Sequence, residues 1–129
     1  MDALKTLLAI GIAVVLLDVA WLTARSTYHH ALFERVQQAP LVMRLIPAIG
    51  VYLLLPIIVY LAAVEPARSF NDAVYRGAVT GFLIYAFYDL TNYATLRGWT
   101  LHMTVTDTLW GTAVCAAGAA AGYYYLKGK

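Results

Sequence analysis

Long apolar stretches alternate with short polar segments along the whole chain. Each stretch reaches the roughly 20 apolar residues that an α-helix needs to cross a bilayer. The strict alternation of polar and apolar residues typical of a transmembrane β-barrel strand is missing from them. The pattern therefore predicts an all-α polytopic membrane protein, with a single transmembrane domain over residues 1–129 that forms a four-transmembrane-helix bundle. The predicted spans are about 4–24, 43–64, 73–93 and 103–126.

The first stretch also has features of a secretory signal, because Lys5 precedes the apolar run and small residues lie near Ala24. Two features favour a retained span instead. Asp18 interrupts the run, and the run is longer than the roughly 7–15 apolar residues of a signal. We therefore expect residues 4–24 to remain in the protein as its first span.

The composition agrees with a protein surrounded by lipid. Of the 129 residues, 62% are hydrophobic and 12% are charged, whereas a soluble domain has about 45–50% apolar and about 25% charged residues. These values exclude an ordinary soluble enzyme and a disordered chain, so the lipid bilayer is the expected partner. The basic residues are scattered, and no nucleic acid is expected. The single cysteine, Cys115, allows no internal disulfide, and no motif identifies a cofactor.

An even number of spans places both chain termini on one face of the membrane. We call this face side A, together with loop 65–72, and we call the opposite face, with loops 25–42 and 94–102, side B. Because positively charged loops stay in the cytoplasm, a small excess on side A predicts cytoplasmic termini in an inner or plasma membrane. The basic residues are Lys5, Arg68, Arg76, Lys127 and Lys129 on side A, and Arg25, Arg35, Arg44 and Arg97 on side B.

Stripes of small residues mark the third and fourth spans. Gly77 and Gly81 are four residues apart, and Gly111, Gly118 and Gly122 share a face of the fourth span. Small residues let helix backbones approach closely in lipid, where packing and polar contacts drive association. The stripes predict a close contact, either between these two helices or with a second copy in a homo-oligomer.

Three acids lie within or at the margin of the predicted spans: Asp18, Asp89 and Asp107. An acid in a span costs roughly 2.5 kcal/mol or more and rarely faces lipid. All three fall in the half of the bilayer nearer side B. Asp18 and Asp89 are therefore the predicted catalytic or anchoring groups. The predicted ligand-binding residues, which share their helix faces or neighbour them, are Asp107, Asn92, Tyr93, Trp21, Trp110 and Tyr88.

Structural explanations of the same polar residues compete with this hypothesis. Asp107 sits near a helix start and is a candidate cap, while Asp18 and Asp89 have arginines of side B as candidate ion-pair partners. The histidines of side B are His29, His30 and His102, and they include no pair four residues apart. We therefore predict no metal site.

The two halves of the chain also show a trace of internal duplication. Segments 17–25 and 88–97 can be aligned with one gap, and each places an acid, then an aromatic residue, then an arginine at the side B end of a span. This pattern favours two repeated helical hairpins, although the second hairpin helices do not align.

Three segments carry a resemblance to a known family. Residues 18–21, 88–95 and 107–111 resemble an uncharacterised domain-of-unknown-function family of small predicted four-helix membrane proteins, found mostly in bacteria. The segment Tyr-Asp-Leu-Thr-Asn at 88–92 is its most specific part. The resemblance implies four spans along nearly the whole chain, and it implies no activity.

Three functions remain open at this point. The acidic and aromatic layer favours an intramembrane pocket near one leaflet that binds or modifies a lipid-like small molecule. The same acids could exchange protons or small cations in a homo-oligomer. The glycine stripes could instead serve an assembly or packing subunit. The pocket leads, because no acid lies inside a span in the half nearer side A.

Overall fold

The fold is known from a computed structural model that describes residues 2–127, with residue 127 described by its backbone alone. Lys129, counted above on side A, lies outside this range. The described residues form helices and no strand, which confirms the all-α fold class. The helices are α1 (Asp2–Ala24), α2 (Ser26–Gln37), α3 (Leu45–Val59), continued by a π-helical turn (Tyr60–Val64), α4 (Phe70–Thr95) and α5 (Leu101–Lys127).

Helix α2 corrects the prediction that residues 25–42 form a loop. It follows α1 after a single residue, Arg25, and ends where Gln38 adopts a left-handed conformation. With 12 residues it is about 18 Å long, which is too short to cross a bilayer. Its buried residue Leu32 packs on Trp99 and Met103, so α2 covers the start of α5 on side B.

Proline explains why α3 does not continue as a regular helix. Pro56 lies inside α3 and lacks the N–H that an α-helical hydrogen bond requires. One turn later the helix widens, and the Glu65 N–H donates to the Tyr60 carbonyl at 2.8 Å, five residues back. Val59, Ala63 and Val64 are fully buried at this widened turn.

Among the described residues, two helical segments are long and apolar enough to cross a membrane, Asp2–Ala24 and Leu45–Val64. Only 11% and 17% of their most apolar windows are buried within the protein. Large apolar side chains therefore point outward, as Leu16 (66% exposed) and Ile46 (83% exposed) illustrate. Such a surface is suited to lipid and not to water.

The glycine stripes are packed inside the chain, where they join α4 to α5. A Cβ atom on Gly77 would lie 2.6 Å from the Cβ atom of Ala119, and one on Gly81 would overlap the backbone of Gly111. Further along α5, Gly118 and Gly122 lie against α1. The close contact that the stripes predict is thus made within one protomer.

Candidate functional site

Asp18 joins three helices near side B. Its carboxylate accepts a hydrogen bond from the Tyr52 hydroxyl of α3 at 2.6 Å and another from the Trp110 indole N–H of α5 at 2.7 Å. Both bonds involve a charged acceptor in a poorly solvated setting, where such bonds are strong. No lysine or arginine of residues 2–126 lies within ion-pair distance of it. Asp18 is therefore satisfied by neutral donors and ties α1 to its neighbours.

Trp110, which donates to Asp18, also stacks on a second tryptophan ring at the side B end of the bundle. The rings of Trp21 and Trp110 lie parallel with centroids 4.7 Å apart. The Arg25 guanidinium lies 5.3 Å from the Trp21 ring and 4.8 Å from the Tyr28 ring, within range of cation–π attraction. It also hydrogen-bonds the His102 imidazole at 3.1 Å. The arginine is thus held by aromatic rings and a histidine.

Asp89 has a different environment from Asp18. Its side chain is completely buried, and no N–H group and no hydroxyl group of the described residues donates to either of its carboxyl oxygens. The carboxyl group that faces it belongs to Asp107 of α5 and lies within hydrogen-bonding reach. Two carboxyl groups can share a hydrogen bond only when one of them carries a proton. A hydrogen bond between Asp89 and Asp107 therefore requires a proton on at least one of the two carboxyl groups.

Asp107 does not cap α5. The helix begins at Leu101, and the Thr100 hydroxyl accepts a hydrogen bond from the Met103 N–H at 3.0 Å. Asp107 lies in the second turn, where its half-buried side chain points toward α4 and a neighbouring cavity.

This cavity, which we call the side B cavity, has a volume of about 460 Å³, within the usual range for small-molecule sites. Asp107, His29, Tyr85 and Tyr88 provide its polar groups, and the rest of its wall is mainly aliphatic. Leu54 is 61% exposed, so the cavity communicates with the outer surface of the bundle. The remaining lining residues are Leu22, Phe33, Val51, Leu54, Leu55, Ile58, Ile84 and Met103.

A second depression runs along the outside of α1 and α3 and has a volume of about 580 Å³. We call it the α1–α3 groove. Its lining is aliphatic except for Tyr52, whose hydroxyl is already used by Asp18. The groove is larger than the side B cavity, but apart from the Tyr52 hydroxyl it offers only apolar contacts.

The other predicted ligand-binding residues are divided between the cavity and the surface. Tyr88 lines the cavity, and Asn92 lies one turn further along α4 with its side chain beside the Tyr88 hydroxyl. Tyr93 is 46% exposed and does not line the cavity. Trp21 and Trp110 form the stack around Asp18.

Sequence reasoning missed the contribution of α2 and of Tyr85. His29 and Phe33 of α2 close one wall of the cavity, and Tyr85 packs over Gly111. The signal for Tyr85 was its place on the face of α4 that also carries Gly81 and Asp89. The signal for α2 was the four-residue spacing of Tyr28, Leu32 and Val36, which is typical of one helix face, whereas its position over α5 depends on tertiary packing.

His29 stays neutral in this position. The residue is 6% exposed, and burial is the main cause that lowers its pKa. The charge of Asp107 opposes this effect and the charge of Arg25 adds to it. Its Nδ1 atom has no hydrogen-bond partner among the described residues. Within residues 2–127 no three His, Cys, Asp or Glu side chains converge on a metal position.

Unsatisfied polar atoms of the described residues concentrate at side B. The indole N–H groups of Trp21 and Trp99 are buried without acceptors, and Asp89 and His29 are buried without donors. Native proteins leave few buried polar groups unpaired, and those that remain call for an explanation. This end of the bundle therefore has unused hydrogen-bonding capacity next to a cavity.

An all-α fold with two long helices whose apolar side chains face outward is typical of helical membrane proteins. Residues 3–124 match the family described as "Predicted membrane protein (DUF2177)", and the chain belongs to that family. The match confirms the resemblance noted from segments 18–21, 88–95 and 107–111. No curated protein and no solved structure matches the chain.

Proposed function

We propose that the protein crosses the membrane four times, through α1, α3 with its π-helical turn, α4 and α5. The apolar surface of the first two and the family assignment support this. Helices α4 and α5 have 26 and 27 residues, enough to cross a bilayer. Their polar residues are accommodated because the two helices pack on each other through the glycine stripes. In this arrangement α2 lies along the side B surface.

The topology can be tested with single cysteines. In a Cys115→Ala background, Asn71→Cys labels side A and His30→Cys labels side B, since both positions are exposed. With cytoplasmic termini, an impermeant thiol reagent added to intact cells modifies only the side B cysteine. Modification of only the side A cysteine would reverse the orientation, and modification of both in intact cells would contradict the four-span arrangement.

The side B cavity, in this proposal, binds a lipid-like molecule with a polar head and an apolar tail. The observation that carries this is the cavity's polarity: its polar groups lie toward side B, and its α3 wall is aliphatic from Val51 to Ile58. That wall extends about 10 Å along α3 toward the bilayer centre. A head group beside Asp107 and an apolar tail along α3 would match the polar and the aliphatic ends of the cavity. The exposed side chain of Leu54 marks a lateral entrance from the lipid.

Binding can be tested by filling the cavity from its apolar wall. Leu54→Trp introduces bulk into the side B cavity, while Leu53→Trp on the same helix introduces it into the α1–α3 groove. Both leucines are outward-facing, with 63% and 61% exposure for Leu53 and Leu54. We expect Leu54→Trp to lose dodecanol binding, measured by native mass spectrometry, and Leu53→Trp to retain it. The reverse result would place binding in the groove and contradict the proposal.

Transport through the membrane receives less support. A relay needs polar groups along the whole path, whereas the acids in the spans lie toward side B. Residues such as Val114, Cys115 and Ala119 fill the bundle interior beyond them and are completely buried.

A further inference from the structure

We infer that the head group taken by the side B cavity is a monovalent organic cation, an ammonium group on an alkyl chain. This inference rests on the proposed function, because it concerns the same cavity and adds the charge of its ligand. It rests on three observations. Asp89 and Asp107 form an acid pair, aromatic rings line the cavity beside that pair, and the guanidinium of Arg25 binds other groups.

The acid pair lacks a counter-charge. In the proposed site the carboxyl groups of Asp89 and Asp107 share one proton, and the pair keeps one negative charge for the ligand. Neither carboxyl group lies within ion-pair distance of a lysine or arginine in the part of the chain that the structure describes. A negative charge held inside a bundle is costly without a partner. One ammonium group would supply the missing charge.

Arg25, which precedes α2, forms no ion pair with either acid. The guanidinium of Arg25 hydrogen-bonds His102 at 3.1 Å and Thr106 at 3.4 Å, and it lies over the rings of Trp21 and Tyr28. The neutral imidazole of His29, which lines the cavity, adds no positive charge. No cationic side chain of the described residues therefore pairs with Asp107, and the ammonium group of a ligand would take that role.

The groups that line the cavity suit an ammonium head. Asp107 is an acceptor at the cavity wall, and an ammonium group carries N–H donors. The rings of Tyr85 and Tyr88 present aromatic surface, and aromatic rings attract cations over their faces. Asp89 lies behind Asp107 and is completely buried, so it acts as a positioning residue through the shared proton.

The ligand series separates this inference from the proposed function. Purified full-length protein in an uncharged maltoside detergent is titrated at pH 7 with dodecylamine, dodecanol and dodecanoate, which share one chain and differ in head group. Binding shifts the Tm according to affinity. We expect dodecylamine to bind at least about tenfold more tightly than dodecanol, a difference that corresponds to about 1.4 kcal/mol, and dodecanoate to bind most weakly.

Two outcomes can be told apart. Equal affinity for dodecylamine and dodecanol would overturn the cationic head group and leave the amphiphile cavity standing. No binding of any of the three would overturn the proposed function itself, and the inference with it.

Three variants identify the acid responsible. Asp107→Asn should lose the preference for dodecylamine while keeping dodecanol affinity. Asp89→Asn should keep the preference, because its amide can donate to Asp107 and hold that carboxylate ionised without a proton. Asp72→Asn is the matched control, because it removes one acid at the start of α4 on side A, together with its ion pair to Arg76. This variant should keep the wild-type preference for dodecylamine over dodecanol. An unchanged preference in Asp107→Asn would overturn the assignment.

Discussion

Asp18 and Asp89 occupy similar positions in two different helices and have opposite surroundings. Each lies near the side B end of a helix that begins at side A. Asp18 receives hydrogen bonds from two donors on two other helices, whereas Asp89 has no N–H or hydroxyl donor among the described residues and faces a second acid. The first arrangement stabilises the bundle, and the second leaves capacity for a ligand. Depth in the bundle therefore does not decide what an acid does.

The largest loss of stability is expected when Asp18, the acid with two hydrogen-bond donors, is removed. Asp18→Ala leaves the Tyr52 hydroxyl and the Trp110 indole N–H without an acceptor. We expect the free energy of unfolding to fall by about 2–4 kcal/mol, because both donors lose bonds to a charged group. Reversible unfolding in mixed micelles measures this value. Asp18→Asn keeps one acceptor oxygen and should lose less, and an unchanged Asp18→Ala variant would remove the contrast between the two acids.

A smaller loss is expected when only one donor is removed. Tyr52→Phe deletes one of the two bonds to Asp18 and should lower the free energy of unfolding by about 1–2 kcal/mol. Tyr93→Phe is the control, since that side chain is 46% exposed. Equal values for the two variants in the same unfolding experiment would show that the Tyr52 bond contributes nothing.

Substitution of Asp89, which has no N–H or hydroxyl donor, should raise the free energy of unfolding instead of lowering it. Asp89→Asn replaces a buried group that has no donor by an amide that can donate to Asp107. We expect the free energy of unfolding to rise by about 1 kcal/mol in the absence of ligand. Circular dichroism during the same micellar titration provides the measurement. A loss as large as that of Asp18→Ala would mean that Asp89 is as structural as Asp18.

The smallest effect is the pH dependence of stability that arises from His29, on the α2 wall of the cavity. Burial lowers the pKa of His29 in the folded protein, so the unfolded chain binds a proton more readily. Stability should therefore decrease as the pH falls below the ordinary histidine value of about 6.5. His29→Gln should flatten this part of a plot of Tm against pH. His30→Gln, at an exposed position, should not flatten it.

The helices could be predicted because their lengths and apolar content are local properties of the sequence. The stretch predicted over 43–64 ends at the same residue as the π-helical turn, and α4 begins three residues before the predicted 73. Helix α2 could not be predicted this way, since a polar segment of 12 residues is stabilised by contacts with Trp99 and Met103 across the fold.

The positions of the two acids along their helices could be predicted, but their partners could not. The sequence predicted Asp18 and Asp89 near the ends of their spans, and the structure has them near the C-terminal ends of α1 and α4. The hydroxyl that satisfies Asp18 is 34 residues away and the indole is 92 residues away. Only the mutual rotation of the helices decides such contacts. The face shared by Tyr85 and Asp89 was visible in the sequence, but its meeting with Asp107 was not.

The stack of Trp21 on Trp110 gives this protein a built-in optical probe. All three tryptophans of the chain lie at side B, and the third, Trp99, is 6.2 Å from the Tyr88 ring. Ultraviolet emission from indole therefore reports on one end of the bundle alone. Parallel indoles 4.7 Å apart also couple their electronic transitions. The near-ultraviolet dichroism of that pair should disappear at the moment α1 separates from α5, even while the helices themselves persist.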